Sequence, residues 1–79
     1  MTMDMGQTQM FLETAVSFIA AAVALVVPDA GEGLDIAKAM TDRIDRENPS
    51  VPEKGPLTTE QAIAYQLAVA RAVIAYLES

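Results

Sequence analysis

Apolar positions along the chain fall into three runs that are separated by proline and glycine. The first run is the most complete, since residues 15–27 read AVSFIAAAVALVV and hold a single polar side chain, Ser17. A helix over such a stretch has no polar face, so it must be enclosed on every side. The pattern predicts a first helix over about 7–27, which Pro28 ends because proline lacks the amide donor.

The second run is amphipathic and predicts a helix over about 30–47. Its apolar side chains share one face, with charged side chains on the other. The third run, over about 59–77, is nearly as apolar as the first, and its charges are confined to Glu60, Arg71 and Glu78. Between these two runs, the segment 48–57 holds three prolines and predicts a loop. Ten residues can span about 33 Å, so the sequence leaves the relative direction of the second and third helices open.

Cap signals support all three predicted starts. A short polar side chain is followed three residues later by Glu or Gln, which is the capping-box spacing. The pairs are Asp4 with Gln7, Asp29 with Glu32, and Thr58 with Gln61. Thr8 competes with Asp4 as the first cap, and Leu57 is placed to pack on Ala62 as a hydrophobic staple.

These elements predict an all-α fold in one domain, 1–79. It is a three-helix arrangement in which two strongly apolar helices form a hairpin or a shared dimer seam. A core of this size supplies only about 3–5 kcal/mol, and small domains usually add disulfides, a metal or a partner. The chain has no Cys and no His, which leaves no disulfide and none of the usual zinc ligands. We therefore expect homo-oligomerisation to complete the fold.

Apolar arcs on the first and third helices supply the candidate interface. The third helix has two such arcs, one through Ile63, Leu67, Ala70, Ile74 and Leu77 and one that includes both tyrosines. Tyrosine is enriched at interfaces because it joins an apolar ring to a polar tip, so the second arc either belongs to an interface or lies at the edge of the core with its tyrosine hydroxyls in water. The predicted interface residues are Phe11, Phe18, Leu25, Tyr65, Val69 and Tyr76.

Glu13 and Arg71 are isolated charges on the two apolar helices. One interpretation is a buried pair that fixes the register of an assembly; the other is that both side chains extend into solvent. Geometry separates the two. If the first and third helices run parallel within one chain, the two residues cannot meet, whereas an antiparallel pair or a dimer can bring them together.

Charge and composition limit the classes of partner and the cellular location that we expect for this protein. Eleven acids and five bases give a formal charge of −6, which disfavours nucleic acid as a partner. No basic residue precedes Lys38, so the pattern does not predict a signal peptide, and we expect a cytoplasmic protein. The first apolar run is shorter than the roughly 20 residues of a membrane span. Insertion of that helix into a membrane is kept as an alternative.

No residue pattern indicates catalysis, a cofactor or a metal. The commonest general base and the strongest nucleophile are missing, and Asp42 and Asp45 lie among bases on a predicted wet face. We therefore predict a non-enzymatic, acidic interaction module that binds itself and another protein, as an adaptor, assembly subunit or inhibitor. A second alternative is a helical oligomer that binds a small molecule, with Gln66 and Arg71 as polar anchors.

Overall fold

Three α-helices make up the computed structural model, which describes residues 2–48 and 56–79. They are α1 (Met5–Ala24), α2 (Ala30–Glu47) and α3 (Thr59–Glu78), and the described residues form no strand, so the fold is all-α. Most of the predicted loop 48–57 lies outside the described residues.

Each helix begins at a side chain that accepts an amide hydrogen bond. At α1, the Gln7 N–H donates to Asp4 Oδ1 at 2.7 Å and the Asp4 N–H donates to Gln7 Oε1 at 3.1 Å. Thr58 and Gln61 form the same reciprocal pair at α3. At α2, Asp29 accepts from the Glu32 N–H at 3.0 Å. Asp4 rather than Thr8 therefore caps α1, which starts two residues before the predicted position.

The last apolar residues before Pro28 form a tight turn instead of a further turn of α1. The helix ends at Ala24, although the prediction extended it to Val27. Beyond Ala24, the Leu25 and Val26 N–H groups donate to the carbonyls three residues back. Proline disfavours the α conformation in the residue before it, which accounts for this shortening.

The helices alternate in direction, so α1 and α3 run parallel with α2 antiparallel to both. The start of α1 lies beside the start of α3, because the Met3 N–H donates to the Leu57 carbonyl at 2.8 Å. The Leu57 N–H donates in turn to Thr8 Oγ1 at 3.1 Å. Tyr65, near the start of α3, contacts Asp45, near the end of α2. The segment 48–58 therefore connects helix ends at the same end of the bundle.

A single apolar cluster lies between the three helices. It takes residues from all of them, and those from α1 lie in the C-terminal half of that helix. Its buried members are Ile19, Ala22, Val23, Ala37, Ile44, Tyr65, Val69 and Val73. Gly33 is buried where α2 packs on α1, and a Cβ there would lie 3.6 Å from Val23 Cγ1, which is an ordinary contact distance.

Membrane crossing requires a helix that is both long and apolar. Over 2–48 and 56–79, no helix combines the two properties to the extent that a membrane span needs.

Candidate interaction surface

Tyr65 is the centre of the contacts that hold the three helices together. Its side chain is buried, and its ring meets the edge of Phe11 with centroids 6.2 Å apart. Its hydroxyl donates to Asp45 Oδ1 at 2.7 Å. Burial raises the pKa of Tyr65 above its ordinary value, and the hydrogen bond and negative charge of Asp45 raise it further. The phenol is therefore kept protonated as a structural donor.

Four of the six predicted interface residues pack inside the chain itself. Tyr65 and Val69 are buried members of the core, and Phe11 and Tyr76 are partly buried against it. The arc of α3 that carries both tyrosines thus contacts the chain's own helices. Only Phe18 and Leu25 lie on the surface, 53% and 80% exposed.

Phe18 and Leu25 owe their exposure to helix geometry. They follow Phe11 at steps of seven residues, and seven residues fall about 20° short of two full helical turns. Each step therefore rotates the side chain further from the interior. Phe11 touches α3 through Tyr65, so the same edge of α1 carries Phe18 and Leu25 outward beside α3.

The other apolar arc of α3 is left uncovered. Four of its members, Ile63, Leu67, Ile74 and Leu77, are between 44% and 56% exposed, with half-buried Ala70 at its centre. The residues that line the gap towards α2, such as Ala68 and Ala72, lie on the opposite side of the helix. This arc therefore faces away from α2.

We call these exposed apolar residues together the outer face. It consists of Phe18 of α1, Leu25 at the C-cap of α1, and Ile63, Leu67, Ala70, Ile74 and Leu77 of α3. None of them is charged, whereas α2 carries eight charged side chains, α1 one and α3 three. The charge is thus concentrated on the helix away from the outer face.

The sequence did contain a signal for the α3 part of this face. Its members are spaced by four, three, four and three residues, which is the heptad spacing of paired helices. The enrichment of tyrosine at interfaces favoured the other arc instead. In the structure the Tyr65 hydroxyl donates a hydrogen bond to Asp45 within the same chain.

Glu13 and Arg71 are both exposed and do not form an ion pair with each other. Because α1 and α3 run parallel, Glu13 lies level with the first half of α3, and it faces a shallow surface beside Val16 and Ser17. Arg71 lines the gap between α2 and α3. Neither side chain belongs to the outer face, so a contact there does not need their pairing.

The gap between α2 and α3 is an open groove of about 620 Å³. Its floor is mainly apolar, with Met40, Ile44 and alanines of α3, while Arg43 and Arg71 supply positive charge. Arg43 also lies 3.6 Å from Glu47 in a solvent-exposed ion pair. Gln66, the other predicted anchor, does not line the groove.

Neither the comparisons with known proteins nor the placement of the acidic residues identifies an activity or a metal site among the described residues. Family models, curated proteins and solved structures yield no match to this chain. In the part of the chain that the structure describes, no three acidic side chains are grouped so that they could hold a metal ion.

Proposed function

We propose that this protein is a non-enzymatic interaction module whose outer face binds another helical surface, in the first place that of a second copy. One observation carries the proposal. Six large apolar side chains are 44–80% exposed on one uncharged face of a small bundle. In soluble proteins, contiguous apolar patches of this kind mark interaction sites.

The size of the outer face supports association. Two parallel helices of 20 residues, each about 30 Å long and 10 Å wide, present a face of roughly 600 Å² in projection. Two such faces would bury at most about 1,200 Å² together, which is the lower end of the total area that stable interfaces bury. Burying a fully exposed Leu or Ile contributes about 1.5–3 kcal/mol, so six half-exposed side chains offer several kcal/mol.

If a second copy binds, charge favours contact through the outer face rather than through α2. Each copy carries a net charge of −6, so two copies repel one another. Contact through the outer face keeps the two α2 helices on opposite outsides of the dimer, where distance and salt weaken the repulsion. A protein partner with an exposed apolar helix would be bound by the same face, which is how an adaptor, assembly subunit or inhibitor would act.

The test is the mass in solution, measured by light scattering or sedimentation across a dilution series. We expect twice the monomer mass of 8.4 kDa at high concentration. Leu67→Glu places a charge in the middle of the outer face and should yield monomers. Leu34→Glu is the matched control, because Leu34 is equally exposed but lies on α2. A wild-type chain that stays monomeric and monodisperse at millimolar concentration would refute self-association.

A second candidate function is supported by the groove between α2 and α3. Its apolar floor and the Arg71 guanidinium would suit a small amphiphile with one anionic group, since Glu47 offsets the charge of Arg43 in the same lining, and its volume is within the range of ligand sites. Decanoate should then raise the melting temperature, and Arg71→Gln should remove the effect. Arg46→Gln is the control, since Arg46 does not line the groove. Equal shifts in both variants would contradict this function.

A further inference from the structure

We infer that two copies pair in antiparallel orientation, with the α3 arc of one copy packed along the α3 arc of the other. The inference rests on the proposed function and specifies its geometry. The α3 arc, Ile63, Leu67, Ala70, Ile74 and Leu77, has alternating four- and three-residue spacing over two heptads. This spacing keeps one stripe of side chains facing a partner helix, with knobs inserted into holes.

Full overlap of two antiparallel α3 helices gives one register. The helix spans Thr59–Glu78, so its midpoint lies between residues 68 and 69. A two-fold axis there places Ile63 opposite Ile74 of the second copy and Leu67 opposite Ala70. Through the middle of the seam, side chains of the arc therefore meet side chains of the arc, and the large Leu67 meets a small residue.

A parallel pair lacks this complementarity. In a parallel pair each residue lies opposite the same residue of the second copy. Ala70 would then face Ala70, and two small side chains would leave the middle of the seam poorly packed. Two-stranded parallel seams also favour a β-branched residue at one heptad position and Leu at the other. Here Leu67 and Ile74 share one position, while Ile63, Ala70 and Leu77 share the other.

Helix dipoles favour the same orientation. Within one copy α1 and α3 already run parallel, so their positive ends lie together. A parallel dimer would align four helices in one direction, whereas the antiparallel dimer sets each pair against an opposed pair. Phe18 and the C-cap residue Leu25 follow Phe11, which contacts Tyr65 of α3, at steps of seven residues, and in this dimer they would extend the contact along the edge of α3. This register also places Glu60 level with Leu77 of the second copy and close to its Glu78. The repulsion between Glu60 and Glu78 is unfavourable, but both side chains stay exposed to solvent.

Cysteine cross-linking tests the orientation, and the wild-type chain contains no cysteine that would interfere. In the antiparallel register, Ile63→Cys of one copy lies opposite Ile74→Cys of the other. In the same register, position 63 of one copy is 11 residues along the helix from position 63 of the other, or about 16 Å. Disulfides require Cα atoms about 4.4–6.8 Å apart. An equimolar mixture of the two variants should therefore form a mixed disulfide dimer, and each variant alone should not.

The controls separate the two proposals. Ala75→Cys lies on the groove side of α3 and should not cross-link with either variant. Light scattering of each reduced variant first establishes whether a dimer is present; a monomer counts against the proposed function itself. A dimer in which Ile63→Cys cross-links to itself is parallel and overturns only the antiparallel arrangement. A dimer that forms no disulfide in the mixture overturns it as well.

Discussion

Thr8 is a buried polar residue that joins α1 to the segment before α3. Its hydroxyl accepts the Leu57 N–H at 3.1 Å, and both residues are buried. Thr8→Val keeps the shape but leaves that amide without its acceptor, so we expect the free energy of unfolding to fall by about 1–3 kcal/mol. Urea denaturation followed by circular dichroism measures the change. Thr14→Val is the control, because the Thr14 hydroxyl bonds within α1 at an exposed site; equal losses in both variants would contradict this role.

Because of the Tyr65 hydroxyl, the free energy of unfolding should depend on pH in the alkaline range. Burial and Asp45 raise the pKa of Tyr65 in the folded chain above the ordinary value of 10.0. Above about pH 10 the unfolded chain loses the phenolic proton while the folded chain keeps it, so the free energy of unfolding must fall as pH rises. The slope for one such group approaches about 1.4 kcal/mol per pH unit. Below about pH 10 this contribution to stability is fully present.

Tyr65→Phe removes that group and isolates its contribution. The variant should lose about 1 kcal/mol near neutral pH, since a hydrogen bond to Asp45 is removed. Its stability should then decline less steeply than that of the wild type between about pH 10 and about pH 12. Parallel chemical denaturation series at each pH give the comparison, and identical alkaline slopes in the two proteins would show that the contact does not hold the phenol protonated.

At the scale of the element, Gly33 is a weak point of α2 that the packing does not require. A Cβ at this position would meet Val23 and Val27 at ordinary van der Waals distances. Alanine favours a helix over glycine by about 1 kcal/mol, so Gly33→Ala should raise the free energy of unfolding by roughly 0.5–1 kcal/mol. Thermal denaturation should show a higher melting temperature. Gly31→Ala, where the Cβ would lie 3.3 Å from Asp29 Oδ1, should gain less; the reverse order would contradict the packing argument.

The three helices could be predicted because local signals mark where they begin. The exposed arc of α3 could not be chosen in this way. Caps such as Thr58 with Gln61 act within one turn, so the sequence alone indicates where helices begin. The choice between the two apolar arcs of α3 depends on contacts distant in sequence, because Tyr65 finds Asp45 twenty residues away. Thr8 and Leu57 are 49 residues apart, and no local pattern links them. Which arc stays exposed is therefore decided by tertiary packing.

At the scale of the whole molecule, we expect salt to strengthen the proposed dimer. Two copies of charge −6 stacked along the short dimensions of 16–21 Å repel one another, and the outer face holds no charged side chain to offset the repulsion. Screening at about 0.3 M salt removes most of a repulsion that is on the order of 1–3 kcal/mol at about 0.02 M. The dissociation constant from sedimentation equilibrium should therefore fall about tenfold between these conditions. A contact held by Glu13 and Arg71 across the dimer would respond in the opposite direction, since salt weakens exposed ion pairs. A dissociation constant that rises with salt would thus favour that pair over the apolar face.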